Sequence, residues 1–147
     1  MNDITSYMLE QAKKILSIDS PTGFTAHAAE YVLGAYKKLG YDAKLTNKGG
    51  IFVCVNDGPD QADDPADAPI LLEAHMDTLG GMVCSINEKG RLMLSALGGM
   101  NPNNAEAENC RVYTRSGKVY SGTFQLKNAS IHVNGSYNNT ARSYDAM

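Results

Sequence analysis

The spacing of apolar residues changes near residues 78–81, and this change constrains the fold more than any other feature of the chain. Before it, helical spacing predicts helices over residues 3–18 and from about 26 to 39, and a period of two then predicts short strands. After it, strand-like runs pair around turn sequences, which predicts antiparallel hairpins. Helix–strand alternation followed by hairpins indicates an α/β unit and then a β-rich unit.

A central strand, buried on both faces, is predicted over the short apolar run at residues 70–74. It ends at His75, and Asp77 follows two residues later. Ligands gather beyond the carboxyl ends of strands in open α/β sheets, and a neutral imidazole there can bind zinc or cobalt through one ring nitrogen. A nearby carboxylate can accept a hydrogen bond from the other nitrogen. Spacing alone also allows a histidine satisfied by local hydrogen bonds and an aspartate in a turn.

Composition and charge exclude several classes of partner. Hydrophobic residues make up 43 % of the chain, so a packed core is expected. The formal net charge is −3 and no lysine or arginine cluster is present, so neither nucleic acid nor a membrane surface is an expected partner. No membrane span or signal peptide is predicted. The spacing of Cys54, Cys84 and Cys110 favours buried thiols over a disulfide or a thiolate site, which indicates a cytoplasmic protein.

Three other features have both a structural and a functional interpretation. Residues 56–69 contain five aspartates and three prolines without the order of an EF-hand loop, so a solvated surface loop is predicted rather than a calcium site. Glu73 alternates to the other face of the predicted strand from Ala74, so we expect it to pair with a neighbour rather than bind a metal. His27 lies early in the second predicted helix, where a surface or half-buried position without a functional role is expected.

The segment Ala74–Val83 resembles the first metal-ligand motif of the glutamyl and deblocking aminopeptidase family. Members of this family are cobalt- or zinc-dependent peptidases that form tetrahedral particles, and some have been labelled endoglucanases. Residues 20–24 resemble the turn between the first two helices of that family, and residues 47–51 resemble a later glycine-containing turn. Residues 97–100 resemble the Gly-Gly turn of its inserted β domain. These segments run in the family's order through nearly the whole chain.

The resemblance implies an α/β fold in two parts. Residues 1–77 would form the N-terminal part of a phosphorylase/hydrolase-like α/β/α catalytic domain. Residues 78–147 would form most of a PDZ-like β domain inserted after the metal motif, and this domain is expected to be incomplete. The chain is therefore expected to be an N-terminal fragment of a longer enzyme.

The resemblance also implies a mechanism, in which two divalent ions, zinc or cobalt, activate a water that hydrolyses the N-terminal peptide bond of a substrate. Of the family's protein ligands, only His75 maps onto this chain, and Asp77 matches the carboxylate that orients it. A catalytic zinc needs three protein ligands, so the chain alone is expected to be inactive and to hold no metal stably. Thr78 departs from the acidic or amide residue common in the family, and Glu73 from a small one.

Two alternatives to a metallo-aminopeptidase remain open at this point. The β-rich half could act as a non-enzymatic assembly or binding module, and the family resemblance itself implies a homo-oligomer that uses this insert. A different hydrolase that shares the H-x-D motif is less compatible with hairpins directly after the motif. His132 lies near where the family often has a histidine in a loop of the insert, so a role at a subunit contact or near a neighbouring active site is a further hypothesis.

Overall fold

A computed structural model describes residues 3–55 and 70–147 of the chain. The chain divides into two compact units, Met1–Thr78 (unit 1) and Leu79–Met147 (unit 2). The division falls where the apolar spacing changes, and the assignment of the two units to a catalytic and an inserted domain stays a prediction. The aspartate-rich segment 56–69, predicted to be a surface loop, lies outside the described residues.

Two helices of unit 1 confirm the helical spacing read from the sequence. Helix α1 spans Asp3–Leu16 and helix α2 spans Ala26–Lys38. In α1 an acidic residue lies in the first turn and two lysines lie in the last, which complements the helix dipole. In α2 the small side chains of Ala28 and Ala29 are buried, so this face of the helix packs closely on the rest of the unit. Neither helix, nor any other in the described residues, is long and apolar enough to cross a bilayer.

A short hairpin follows the helices in unit 1. Strand β1 (Lys44–Leu45) pairs antiparallel with strand β2 (Ile51–Phe52), and both are shorter than the runs at residues 41–46 and 51–55 that the period of two predicts as strands. The turn between them is closed by two bonds, from Thr46 N to Gly50 O at 2.8 Å and from Gly50 N to Thr46 Oγ1 at 3.0 Å. The turn predicted from the Asn-Lys-Gly-Gly sequence at residues 47–50 is therefore present.

The predicted buried strand over residues 70–74 is wrong for this chain. These residues have no regular secondary structure, and Ile70 and Leu72 are each 88 % exposed. A central strand requires neighbouring strands that bond to both of its edges. In the described part of the chain, no strand pairs with residues 70–76. The apolar run therefore lacks the sheet that would bury it.

Unit 2 consists mainly of two antiparallel hairpins, as predicted. Strand β3 (Gly80–Ile86) pairs with β4 (Leu92–Leu97), with a register shift between Val83 and Ser85. Strand β5 (Asn109–Tyr113) pairs with β6 (Val119–Thr123). The described residues thus combine helices with small antiparallel sheets, which is compatible with the predicted α/β class.

The segment between the two hairpins contains a short helix that the apolar spacing does not predict. Helix α3 spans Pro102–Ala105, and the Asn101 side chain caps it by accepting a bond from Asn103 N at 3.0 Å. Proline at its start has the backbone angle that a first helical turn needs. A helix of four residues leaves no periodic apolar signal, which explains why spacing did not reveal it.

The C-terminal segment of unit 2 is anchored by one arginine. Arg142 Nε donates to Glu106 Oε2 at 2.7 Å, and its guanidinium lies 4.8 Å from the centroid of the Tyr137 ring. Tyr144 Oη donates to Met100 O at 2.9 Å. Leu126 and Met147, at 2 % and 6 % exposure, pack into the small apolar core of this unit. Side-chain bonds thus order a segment in which the sequence predicted no regular element.

The predicted burial of the cysteines is also wrong. Cys54, Cys84 and Cys110 are all exposed. Cys84 lies on β3, whose side chains are exposed on both faces, and Cys110 lies on β5, in a two-stranded sheet. A two-stranded sheet covers little surface, so an apolar run in it does not guarantee burial.

Candidate functional site

The candidate site forms where the turn after helix α1 meets the H-x-D segment. Thr78 N donates to Ser20 O at 2.7 Å, and Thr22 N donates to Thr78 O at 3.3 Å. These two bonds form a parallel β-bridge between Pro21 and Thr78. They bring the backbone of residues 20–22 against the end of the segment that carries His75 and Asp77.

Local sequence explains why the chain turns here. Pro21 restricts the residue before it to extended backbone, which prevents α1 from continuing. Gly23 has a φ of +86°, a value that side chains other than glycine rarely adopt. A bond from Phe24 N to Pro21 O at 2.7 Å closes the turn, and Ser20 is buried at 2 % exposure. Thr22, between proline and glycine, is thereby held next to Thr78, to whose backbone oxygen its N–H donates.

The imidazole of His75 is held through its Nδ1 atom. Nδ1 lies 2.9 Å from the backbone oxygen of Asp77 and 3.2 Å from Asp77 Oδ1. A carbonyl oxygen can only accept a hydrogen bond, so the neutral ring carries its proton on Nδ1. Nε2 then has a lone pair, and the His75 side chain is 86 % exposed. This is the tautomer in which a histidine can bind a metal ion through Nε2.

The carboxylate of Asp77 accepts hydrogen bonds at both of its oxygens. Oδ2 accepts from Thr22 Oγ1 at 2.7 Å, while Oδ1 faces His75 Nδ1. The Thr22 hydrogen bond is the largest influence on the pKa of Asp77 and lowers it against the opposing effect of burial, and the backbone N–H of Asp77 and the side chain of His75 lower this pKa further. Asp77 is therefore ionised at neutral pH and can only accept hydrogen bonds.

The site offers a metal donor of the kind that zinc or cobalt binds, the imidazole of His75. His75 fits that role by its tautomer and exposure. In residues 3–55 and 70–147, no three His, Cys, Asp or Glu side chains are grouped closely enough to hold a metal ion. Zinc sites use three or four protein ligands, so His75 could supply only part of a complete set.

The remaining predicted residues do not add to this site in unit 1. His27 lies on α2, where its ring contacts Phe24 edge-on at a centroid distance of 5.7 Å. Glu73 is exposed and lies in the segment without regular structure. His132 lies in a turn of unit 2, where Asn134 N donates to Ser130 O at 2.8 Å, and its functional role stays a hypothesis.

Thr22 is the residue of the site that sequence reasoning missed. It lies 55 residues from Asp77 in the chain, and threonine is too common for its presence to indicate a role. The available signal was the family-like turn at residues 20–24, which indicated a turn there without indicating what its side chains contact.

Comparison with known proteins agrees with the resemblance read from the motifs. The model of the M42 glutamyl aminopeptidase family matches residues 50–147. Aminopeptidase YhfE of Bacillus subtilis is 36 % identical over 125 residues, which cover 85 % of this chain and 34 % of that protein. Glutamyl aminopeptidase of Lactococcus lactis is 32 % identical over 112 residues, which cover 76 % of this chain and 30 % of that protein.

The matches to these two relatives thus cover most of this chain but only about a third of each relative's own length. The family match includes His75 and Asp77 and all of unit 2. Because it spans about two thirds of the sequence and two relatives exceed 30 % identity, the chain belongs to the M42 glutamyl aminopeptidase family.

Proposed function

We propose that the complete protein is a metal-dependent aminopeptidase that removes residues from the N-termini of peptides. Family membership supports the reaction class. The observation that carries the metal dependence is the state of His75, whose Nδ1 is bonded to Asp77 and whose exposed ring leaves Nε2 available as a ligand atom.

In this proposal His75 is one ligand of a pair of divalent ions, zinc or cobalt. When bound, the ions supply Lewis acidity and lower the pKa of water. Asp77 orients the imidazole and, as an anion next to the Nδ1–H, increases the basicity of Nε2. The other ligands and the general base would come from residues outside the part of the chain that the structure describes.

We assign the two units to the two domains that the family resemblance implies. Unit 1 would be the N-terminal part of the α/β/α catalytic domain, and its two helices and exposed apolar segment 70–72 support this assignment. Unit 2 would be a PDZ-like insert, and its two hairpins after the H-x-D motif support that. The cytoplasm is the proposed location, because exposed thiols persist in a reducing compartment.

The 147-residue chain alone should have no metal-dependent peptidase activity. Among its described residues no three candidate ligands are grouped together, so neither ion would be held in a catalytic geometry. Amino-acid p-nitroanilides with added cobalt or zinc are suitable substrates for this assay. Metal-dependent turnover by the chain that disappears in His75→Ala would contradict this expectation.

The test of the proposed function is His75→Ala in the complete protein. We expect loss of aminopeptidase activity and a lower metal content, with little change in the circular dichroism spectrum, because the exposed ring leaves no core cavity. His27→Ala is the matched control, since it also removes an exposed histidine from unit 1 and should retain activity. Normal turnover and metal content in His75→Ala would show that His75 is not a ligand.

A further inference from the structure

We propose that Thr22 is a positioning residue of the metal site, whose hydroxyl group holds the Asp77 carboxylate in the orientation that supports His75. The inference rests on the proposed function, because it takes His75 as a metal ligand. Thr22 lies outside the H-x-D motif and outside the region that the family model matches, residues 50–147. It enters the site through the turn after α1.

The two oxygens of Asp77 have different partners, and this division fixes the carboxylate. Thr22 Oγ1 donates to Oδ2 at 2.7 Å, while Oδ1 lies 3.2 Å from His75 Nδ1. The first contact is the shorter of the two, and charge-assisted O–H···O bonds of this length are among the stronger hydrogen bonds in proteins. The Asp77 side chain is 40 % exposed, so without Thr22 the carboxylate could turn towards water and away from the imidazole.

Thr22 is itself held independently of its hydroxyl group. Its backbone N–H donates to Thr78 O at 3.3 Å, and Thr78 N donates to Ser20 O at 2.7 Å. Both bonds use main-chain atoms, so a side-chain substitution leaves them in place. Valine has the shape of threonine and the same β-branching, and it lacks the hydroxyl donor. Thr22→Val therefore removes the bond to Asp77 with little change to the turn.

The His75 tautomer should survive this substitution, because the backbone oxygen of Asp77 also accepts from Nδ1 at 2.9 Å. The anionic partner of the ring is what becomes mobile. A carboxylate next to a ligating histidine raises ligand basicity, and losing such a partner typically costs about 10–100-fold in metal affinity. Thr22 acts on His75 only through Asp77, so we expect Thr22→Val to weaken zinc binding by about tenfold, the lower end of that range.

The experiment measures zinc dissociation constants of the metal-depleted complete protein by competition with a chelator. The variants are Thr22→Val, Thr22→Ser, Asp77→Asn and the double variant Thr22→Val/Asp77→Asn, each checked by circular dichroism. We expect weaker binding in Thr22→Val, near-normal binding in Thr22→Ser, and no added loss when Thr22→Val is combined with Asp77→Asn. A purely structural threonine would not be rescued by serine and would not depend on Asp77 in this way.

Two results overturn the inference. One is normal zinc binding in Thr22→Val while Asp77→Asn weakens it, and the other is a Thr22→Val loss that adds fully to that of Asp77→Asn. His75→Ala in the same titration separates this inference from the proposed function. If His75→Ala binds zinc as tightly as the unchanged protein, the proposed metal site fails and the role of Thr22 fails with it. If His75→Ala loses zinc and Thr22→Val does not, the role of Thr22 fails alone.

Discussion

The two hydrogen-bond partners of the Asp77 carboxylate, Thr22 and His75, depend on its negative charge to different degrees. The hydroxyl group of Thr22 can donate to a carboxylate or to an amide oxygen, although the bond to the charged carboxylate is the stronger of the two. In the proposed metal site the imidazole of His75 would benefit from an anion, since negative charge next to the Nδ1–H makes Nε2 a better donor to a metal. Replacing the carboxylate by an amide of the same shape separates these two contributions.

Under the proposed function, we expect Asp77→Asn in the complete protein to require more added metal for full activity, with about 10–100-fold weaker metal affinity. A titration of activity against free cobalt or zinc measures this. Asp42→Asn is the control, since Asp42 is an exposed aspartate of the same unit that pairs with Lys44 at 3.0 Å. If Asp77 serves only as a turn residue, asparagine will substitute for it without a change in metal requirement.

His75 and Asp77 could be predicted from the sequence because both lie in one short motif after an apolar run, and because the chemistry of neighbouring imidazole and carboxylate groups predicts their pairing. The observed distance of 3.2 Å between Nδ1 and Oδ1 places them in contact, and their catalytic roles stay predictions. Thr22 could not be found in this way. Contacts between distant segments depend on how the chain folds back, and no local pattern encodes that.

At the scale of elements, the turn that follows β4 depends on one glycine. Gly98 has a φ of +77°, and an added Cβ would lie 2.7 Å from Leu79 Cδ2. The Leu79 side chain is 55 % exposed and could move aside, so the backbone angle is the larger obstacle. Gly99 has open space around its Cα and no such angle. The backbone at residue 98 therefore favours glycine, whereas the position of Gly99 can accept a side chain.

Gly98→Ala should lower the free energy of unfolding of the protein by about 1–2 kcal/mol, the cost of left-handed backbone for an L-residue. Gly99→Ala should change it little, and it serves as the control for adding the same methyl group one residue later. Urea denaturation followed by circular dichroism measures both. Equal stabilities for the two variants would mean that the turn relaxes to a backbone that alanine tolerates.

Elements with a clear period were predicted well, and elements that depend on distant partners were not. Helices α1 and α2 and both hairpins of unit 2 are present, because their apolar spacing and turn sequences are local signals. Residues 70–74 have the composition of a buried strand, yet a strand requires neighbours to bond with. The short helix α3 was missed since four residues cannot show a helical period.

At the scale of the whole molecule, each unit leaves large apolar side chains exposed. The buried apolar residues in the described part of the chain are few and mostly small, namely Ala28, Ala29, Ala43, Ala105, Leu126 and Met147. On β3 of unit 2, by contrast, Met82 is 56 % exposed and Ile86 is 66 % exposed. Exposed apolar surface of this kind marks sites where proteins associate. It is compatible with the homo-oligomer through the insert that the family resemblance implies, and that assembly stays a prediction.

We expect the complete protein to be a homo-oligomer and Ile86→Lys to reduce its mass in solution, because a buried lysine in a contact would lack a partner for its charge. Ser85→Lys, at the neighbouring exposed position on the same strand, is the control. Multi-angle light scattering after size-exclusion chromatography measures the mass in each case. An unchanged mass for Ile86→Lys would place the contact elsewhere.

The bond between Thr22 and Asp77 also has a consequence for the order of folding. It joins residues 55 apart, and closing a loop grows costlier by only about 0.6 kcal/mol for each doubling of its length, on top of a larger initial cost. One hydrogen bond with a net value of about 1 kcal/mol cannot hold such a loop closed. Thr22 can therefore hold the Asp77 carboxylate only after the turn that follows α1 and the H-x-D segment have come together. When metal is added while the complete protein refolds, Asp77 is not yet held beside His75. The rate at which tight metal binding appears should therefore report the closure of this loop.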